Sequence, residues 1–179
     1  MLHFWAMISK LLPFVLIVGT AAARAQMAPD APDKLKPPAG EQVVFQAHAT
    51  GVQIYACQQS ADGKYGWTLK GPEAELHDDH GAVVGRHFAG PTWKHNDGSE
   101  VMAKMAAKVD APDGNSIPWL LLSATSHNGE GVLAKVTSIQ RLHTRGGKAP
   151  ADSECTAAKV NSEARSDYAA DYYFFAPGK

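Results

Sequence analysis

The chain has 179 residues, with 17 Lys or Arg against 18 Asp or Glu, a formal charge of −1 and 45% hydrophobic residues. No basic patch stands out, so electrostatic attraction to a phosphate backbone is not available and nucleic acid is not an expected partner. With only two cysteines and no H-E-x-x-H, the strong metal motifs are absent.

Residues Met1 to Lys10 carry one positive charge and no acid, and an apolar run follows from Leu11 to Val18. Gly19-Thr20-Ala21-Ala22 then leads into Ala23-Arg24-Ala25, an A-x-A match. Together these predict a signal peptide over residues 1–25, cleaved before Gln26. The apolar run is shorter than the ~20 residues a membrane-spanning helix needs, so no membrane span is expected after cleavage. No cysteine lies near the cut, which argues against a lipid anchor, and there is no twin-Arg pair. Cleavage removes Lys10 and Arg24 and no acid, leaving 15 bases against 18 acids, a formal charge of −3. A periplasmic or secreted location follows. In such a compartment the lone pair Cys57 and Cys155 predicts a disulfide. Closing a loop of about 100 residues, it is worth at most ~4–5 kcal/mol through chain entropy.

Residues 26–40 contain Ala-Pro-Asp-Ala-Pro-Asp and Lys-Pro-Pro, which predicts an extended, Pro-rich lead-in outside the core. Residues 41–179 are expected to form a single β-rich domain. Val43, Phe45 and Ala47 alternate along one strand, and Val52, Ile54 and Ala56 along the next, with Gly51 between them. Asp62-Gly63 is a turn signal, Tyr65 to Lys70 a short strand, and Gly71-Pro72 a break. Glu73 to Asp78 and Val83 to Phe88 predict a hairpin around His80-Gly81.

Glu100 to Asp110 sets two signals against each other. Its Ala, Met and Lys are good helix formers. Yet Val101, Ala103, Met105, Ala107 and Val109 recur at spacing two, which predicts a half-buried strand. Ile117 to Ala124 is the most apolar stretch and is expected as a central strand with Trp119 in the core. A Gly-rich loop over Ser126 to Gly131 precedes a strand over Val132 to Thr144, and a loop from Arg145 leads to Cys155. Tyr168, Ala170, Tyr172 and Phe174 form a final stripe, expected as core packing. The expected fold is mainly β with little helix: one antiparallel β-sandwich or closed β-barrel of about eight or nine short strands.

Several ordered blocks carry a resemblance. They are Val84-Gly85-Arg86-His87-Phe88-Ala89-Gly90-Pro91-Thr92-Trp93 with Asp97-Gly98-Ser99, then Ile117-Pro118-Trp119-Leu120-Leu121-Leu122. Val136-Thr137-Ser138-Ile139-Gln140-Arg141 and Thr144-Arg145-Gly146-Gly147 before Ala149-Pro150 complete the set. From about Pro38 to Phe175 the chain resembles the domain of unknown function 3455 family. The resemblance implies an exported β-rich protein and brings no activity, cofactor or catalytic residue with it. His77 and His80 fall outside its pattern.

Among chemically capable groups, His77-Asp78-Asp79-His80 at a hairpin end, with His87 and His95 nearby, has spacing a metal could bridge. A polar turn uses the same residues, and a metal site requires three or four converging ligands, so no metal is assigned. Ser123, Ser126 and His127, with Asp97 or Asp113, would be a hydrolase reading, although no G-x-S-x-G elbow is present. Glu73, Glu75, Asp78, Asp97 and Glu100 supply acids for a paired-carboxylate alternative. The segment from His87 to Ser99 places Trp93 beside polar turn residues, the combination of apolar face and oriented polar groups that a small-molecule or glycan site uses. His87, Trp93, Asp97 and Ser99 are therefore the expected ligand-binding residues. No G-x-G-x-x-G or phosphate loop occurs, and no cofactor is expected. The favoured reading is a non-enzymatic exported domain binding a small ligand or an envelope or extracellular component. The alternatives are the hydrolase and a structural or protein-interaction domain.

Overall fold

A computed structural model of the protein describes residues 27–178. The expected leader over residues 1–25 lies outside the described residues, as do Gln26 and Lys179.

Eight strands follow one another: β1 (Glu41–Gln59), β2 (Tyr65–His77), β3 (Val83–Phe88), β4 (Thr92–His95), β5 (Glu100–Val109), β6 (Trp119–Asn128), β7 (Ser138–Gly146) and β8 (Glu163–Pro177). Each pairs antiparallel with its neighbour in sequence. Strand β8 also pairs back onto β1, from Glu41 opposite Pro177 to Ala56 opposite Glu163. The result is one antiparallel sheet whose strand order runs in a ring. Helix is confined to three short 3-10 turns among the described residues.

Glu100–Val109 is a strand, as the spacing predicts, although of its five alternating apolar residues only Val101 and Ala103 reach the principal core: Met105 is exposed, and past a bulge Ala107 and Val109 pack against a separate cluster. Val101 and Ala103 are buried while Met102 and Lys104 face solvent. The final stripe is core: Tyr168, Ala170, Tyr172 and Phe174 are all buried in the principal cluster, with Ala47, Ala49, Leu76, Trp93, Val101, Leu122 and Ile139. Each fully buried large apolar side chain there stabilises the fold by about 1.5–3 kcal/mol.

Two expected breaks are not breaks. Gly51 lies inside β1, which runs on for 19 residues. A Cβ at Gly51 would sit 2.1 Å from the Glu73 carbonyl oxygen, so the glycine serves the close approach of β1 to β2 rather than a turn. Gly71-Pro72 lies inside β2, just after Lys70, the extra residue of a bulge opposite Ile54 and Tyr55. A bulge is where a strand tolerates proline. Conversely, Val132 to Thr137 is not strand; it forms a loop that buries Leu133 and Val136 before β7 begins at Ser138.

Because β1 is continuous, the alternation of Ala47 and Ala49 carries on to Gly51, Gln53 and Tyr55. The face expected from Val52, Ile54 and Ala56 is the other one. The strands are also longer than expected, with 13 residues in β2 and 15 in β8.

A second cluster lies apart from the first. Leu35, fully buried, and Ala31 pack with Val43, Leu142, Tyr173 and Phe175, and Gln140 Nε2 donates to the Leu35 carbonyl at 2.7 Å. The Pro-rich lead-in thus contributes to the core, through a 3-10 turn at Asp33–Leu35. Trp119, expected in the core, is only partly buried and packs against this second cluster.

Cys57, at the end of β1, forms a disulfide with Cys155, in the long β7–β8 connection, 98 residues away. That end of the ring also carries the β3–β4 turn and the β5–β6 connection.

Candidate functional site

The β3–β4 hairpin is so short that His87 and Trp93 stand directly opposite each other. Their rings stack with centroids 4.2 Å apart and planes 7° from parallel. Tyr172 of β8 meets both edge-on, at 5.2 Å from His87 and 5.4 Å from Trp93. His87 Nδ1 lies 2.8 Å from the Thr92 carbonyl oxygen, which fixes Nδ1 as the protonated nitrogen of a neutral ring. Burial holds the His87 pKa down at about 3; the bond to Thr92 works against that, and the Arg141 charge works with it.

These aromatic rings form part of the wall of a cavity of about 360 Å³. Gln53 of β1, Leu120 and Leu122 of β6 and Arg141 of β7 line it too, while Leu69, Pro72, Pro91, Met105, Lys108 and Pro118 complete the lining. A volume of this size is within the range of small-ligand sites, and so is its mixture of an apolar wall with few polar groups. Two of those polar groups are incomplete. Gln53 and Trp93 are 2% and 1% exposed, and Gln53 Nε2 and Trp93 Nε1 have no hydrogen-bond partner among the described residues. A buried donor left without an acceptor costs about 1–3 kcal/mol.

A larger depression, about 740 Å³, is an open surface feature. Glu73, Glu75, Arg86, Lys94 and Arg165 mix both charge signs along it, and none of its lining residues carries an unpartnered buried donor. The smaller cavity is therefore the stronger candidate.

The four residues expected to form a site divide into two pairs. His87 and Trp93 line the cavity together. Asp97 and Ser99 do not line it; they fasten the β4–β5 turn to the loop before β7. Asp97 Oδ1 accepts from the Ser99 hydroxyl at 2.6 Å and from the Ser99 N–H at 2.9 Å, and its Oδ2 accepts from the Val132 N–H at 2.8 Å. Ser99 Oγ in turn accepts from the Leu133 N–H at 3.1 Å. Partial burial acts to raise the Asp97 carboxyl, but bonds from Ser99, Val132 and His95 together hold it well below the usual carboxylate range. Gly131 permits this contact, since a Cβ there would sit 2.3 Å from an Asp97 oxygen.

The other candidates are dispersed. Asp78 Oδ1 accepts from the N–H groups of His80 and Ala82, and His77 Nδ1 lies 3.3 Å from the Gly81 carbonyl oxygen, so this tetrad builds its own turn. No group of three or more His, Cys, Asp or Glu side chains could hold a metal among the described residues. His127 Nε2 lies 2.7 Å from the Val136 carbonyl oxygen, and Ser126, its neighbour on β6, points to the opposite face. Asp113 accepts from Asn115 and Ser116 within its own turn. Among the acids, Glu73 is paired with Arg165, and Glu75 lies 3.8 Å from His77.

Gln53, Leu122, Arg141 and Tyr172 are among the lining residues that sequence reasoning did not select as a site. Two of them had a signal. Gln53 and Arg141 are long polar side chains on strand faces otherwise carrying Ala47 and Ala49, or Ile139.

Among family profiles, the family described as Protein of unknown function (DUF3455) matches residues 38–176. Comparison with curated proteins and with solved structures gives no match.

Proposed function

The chain belongs to the DUF3455 family, and on that premise we propose that it is an exported, non-enzymatic domain that binds a small molecule in one end of its strand ring, which we read as a closed β-barrel. The observation that carries this reading is the pair of unpartnered buried donors, Gln53 Nε2 and Trp93 Nε1, on residues that share the wall of one apolar cavity. Such groups are retained where something else accepts from them. Export is supported by the leader pattern over residues 1–25 and is compatible with the disulfide. No helix among the described residues is long and apolar enough to cross a membrane. The periplasm and the extracellular medium are both consistent with this reading.

A thermal-shift screen of the disulfide-bonded protein tests it. A ligand at one hundred times its Kd stabilises by about 2.7 kcal/mol. For a domain of this length that raises Tm by about 5–10 °C. Trp93→Phe removes one donor and Gln53→Leu the other, and each is expected to weaken a cavity ligand by roughly 10-fold. Hits that keep full affinity in both folded variants would refute the assignment of the site.

A further inference from the structure

We propose that the ligand is a hydrophobic carboxylate: an apolar body seated against Trp93 and Leu122, with one anionic head held by Arg141. The inference rests on the cavity being a ligand site and adds the chemical class.

Charge is its first support. Arg141 stands on the same alternation of β7 as Ile139, a member of the principal core. Its guanidinium is half-buried, and its Nε and Nη2 both donate to one acceptor, the Pro118 carbonyl oxygen, at 3.2 and 2.9 Å. A guanidinium has five N–H donors; two serve Pro118, the Tyr172 hydroxyl draws on a further one, and the rest are open. Among the described residues no carboxylate lies within ion-pair distance of Arg141 or of Lys108, the other cation at the cavity. No Asp or Glu lines the cavity. The charge is felt well inside the ring, where it draws down the pKa of the Tyr172 hydroxyl that burial pushes up. A partly desolvated cation with no internal counter-ion is complemented by an anion.

Donor inventory is the second. Gln53 Nε2, Trp93 Nε1 and the open N–H groups of Arg141 are all donors, whereas an ionised carboxylate only accepts, with about four lone-pair sites. Guanidinium and carboxylate also match as a planar fork, which a simple carbonyl does not. The third support is shape. The remaining wall is Leu, Pro and Met side chains with two aromatic rings, and the volume admits about a dozen water-sized groups. That is room for one short acyl chain or one ring with a short tether.

The test uses 4-phenylbutyrate and octanoate with their primary amides, which share the body and lack the charge, in calorimetric titration of the disulfide-bonded protein. Both acids are expected to bind at least about 10-fold tighter than their amides. Arg141→Gln is expected to lose about 10- to 100-fold on the acids and to stay within about 2-fold on the amides. The indole Nε1–H resonance of Trp93 moves on addition of either acid. Arg141→Lys keeps the charge and loses the fork, so it retains the preference for acid over amide at reduced affinity. It stands in should the Gln variant fail to fold for want of its bond to Pro118. Acids and amides binding equally well, with the Trp93 resonance moving for both, would overturn the anionic class and leave the binding site intact. Absence of binding by all four compounds overturns the proposal as well, while the thermal-shift screen judges the site on its own.

Discussion

His87 gives the sharpest test of how the ring is packed, because its buried imidazole must be neutral when folded. The folded pKa is about 3, held down chiefly by burial, against about 6.5 for an exposed histidine. The unfolded chain therefore binds a proton that the folded chain refuses between those values. Stability from this group is complete above pH 6.5 and is lost as pH falls toward 3. The slope is ~1.4 kcal/mol per pH unit, so lowering the pH from 6.5 to 4.5 costs about 2–3 kcal/mol through His87 alone. His48 works in the opposite sense. Its bond to Asp171, with the opposing effect of burial and a further bond to Asp79, raises its pKa, so its contribution is full below 6.5 and fades as pH rises. A difference measurement removes it. Urea unfolding of the wild type and of His87→Asn, each from pH 7 to 4.5, shares every other titrating group. The amide of Asn can still donate to the Thr92 carbonyl. The variant is expected to be less stable at pH 7, having lost the stacked ring, and to show a slope shallower by about one proton. Parallel pH dependences of the two proteins would refute the buried neutral imidazole.

Three further perturbations probe other parts of the fold. Ser99→Ala removes the hydroxyl that donates to Asp97 and accepts from the Leu133 N–H, leaving a buried donor unpaired; a loss of about 1–3 kcal/mol is expected in urea unfolding, with cavity ligands unaffected. Leu35→Ala hollows the second cluster and should cost about 2–5 kcal/mol, whereas a mobile lead-in would leave the unfolding midpoint unchanged. Replacing Cys57 and Cys155 together by Ala frees a loop of 98 residues and should cost up to ~4.7 kcal/mol, read as a lower urea midpoint; unreduced mass spectrometry showing two free thiols in the wild type would contradict the premise.

What the sequence disclosed is what alternation within one strand can disclose. Val101 and Ala103 against Met102 and Lys104 outvoted the helix propensity of β5, and the stripe from Tyr168 to Phe174 read as core without knowledge of its neighbours. Gly51 and Gly71-Pro72 misled for a common reason. Their local chemistry is that of a turn, and what keeps the strands running there is a partner strand and a bulge. The same distance problem divided the expected site. Trp93 and His87 meet across a hairpin, within reach of local reasoning. Asp97 and Ser99 look like ligand groups until Val132 and Leu133, more than thirty residues on, supply their hydrogen bonds. Arg141 was legible in principle as a charge on an apolar alternation, but only once β7 was known to begin at Ser138.

Irregularities of the ladder border the cavity without by themselves setting its position. Three register shifts, at Ile54/Tyr55, Met105/Ala107 and Leu142/Arg145, lie beside the lining residues Gln53, Met105 and Arg141, and three others, at Val43/Phe45, Leu76/His77 and Met102/Ala103, lie toward the opposite end. A bulge bends its strand and re-aims the side chains next to it. Met105 illustrates the effect: placed by alternation with the buried Val101 and Ala103, it stands 57% exposed at the edge of the cavity. The β6–β7 ladder is also short, only Leu120 to Ser123 against Ser138 to Arg141, and two of its leucines and its arginine line the same space. Toward the opposite end the inward positions carry Ala47, Ala49, Val101 and Ile139, which fill the ring. One end is thus closed by side chains, while the other carries long polar residues that a packed core would not favour. Interiors that serve only stability are filled to crystal-like density, with few voids larger than a water molecule. The cavity departs from that rule where two unpartnered donors, Gln53 Nε2 and Trp93 Nε1, and the uncompensated guanidinium of Arg141 lie, and the proposed occupant with apolar and anionic parts would account for these departures together.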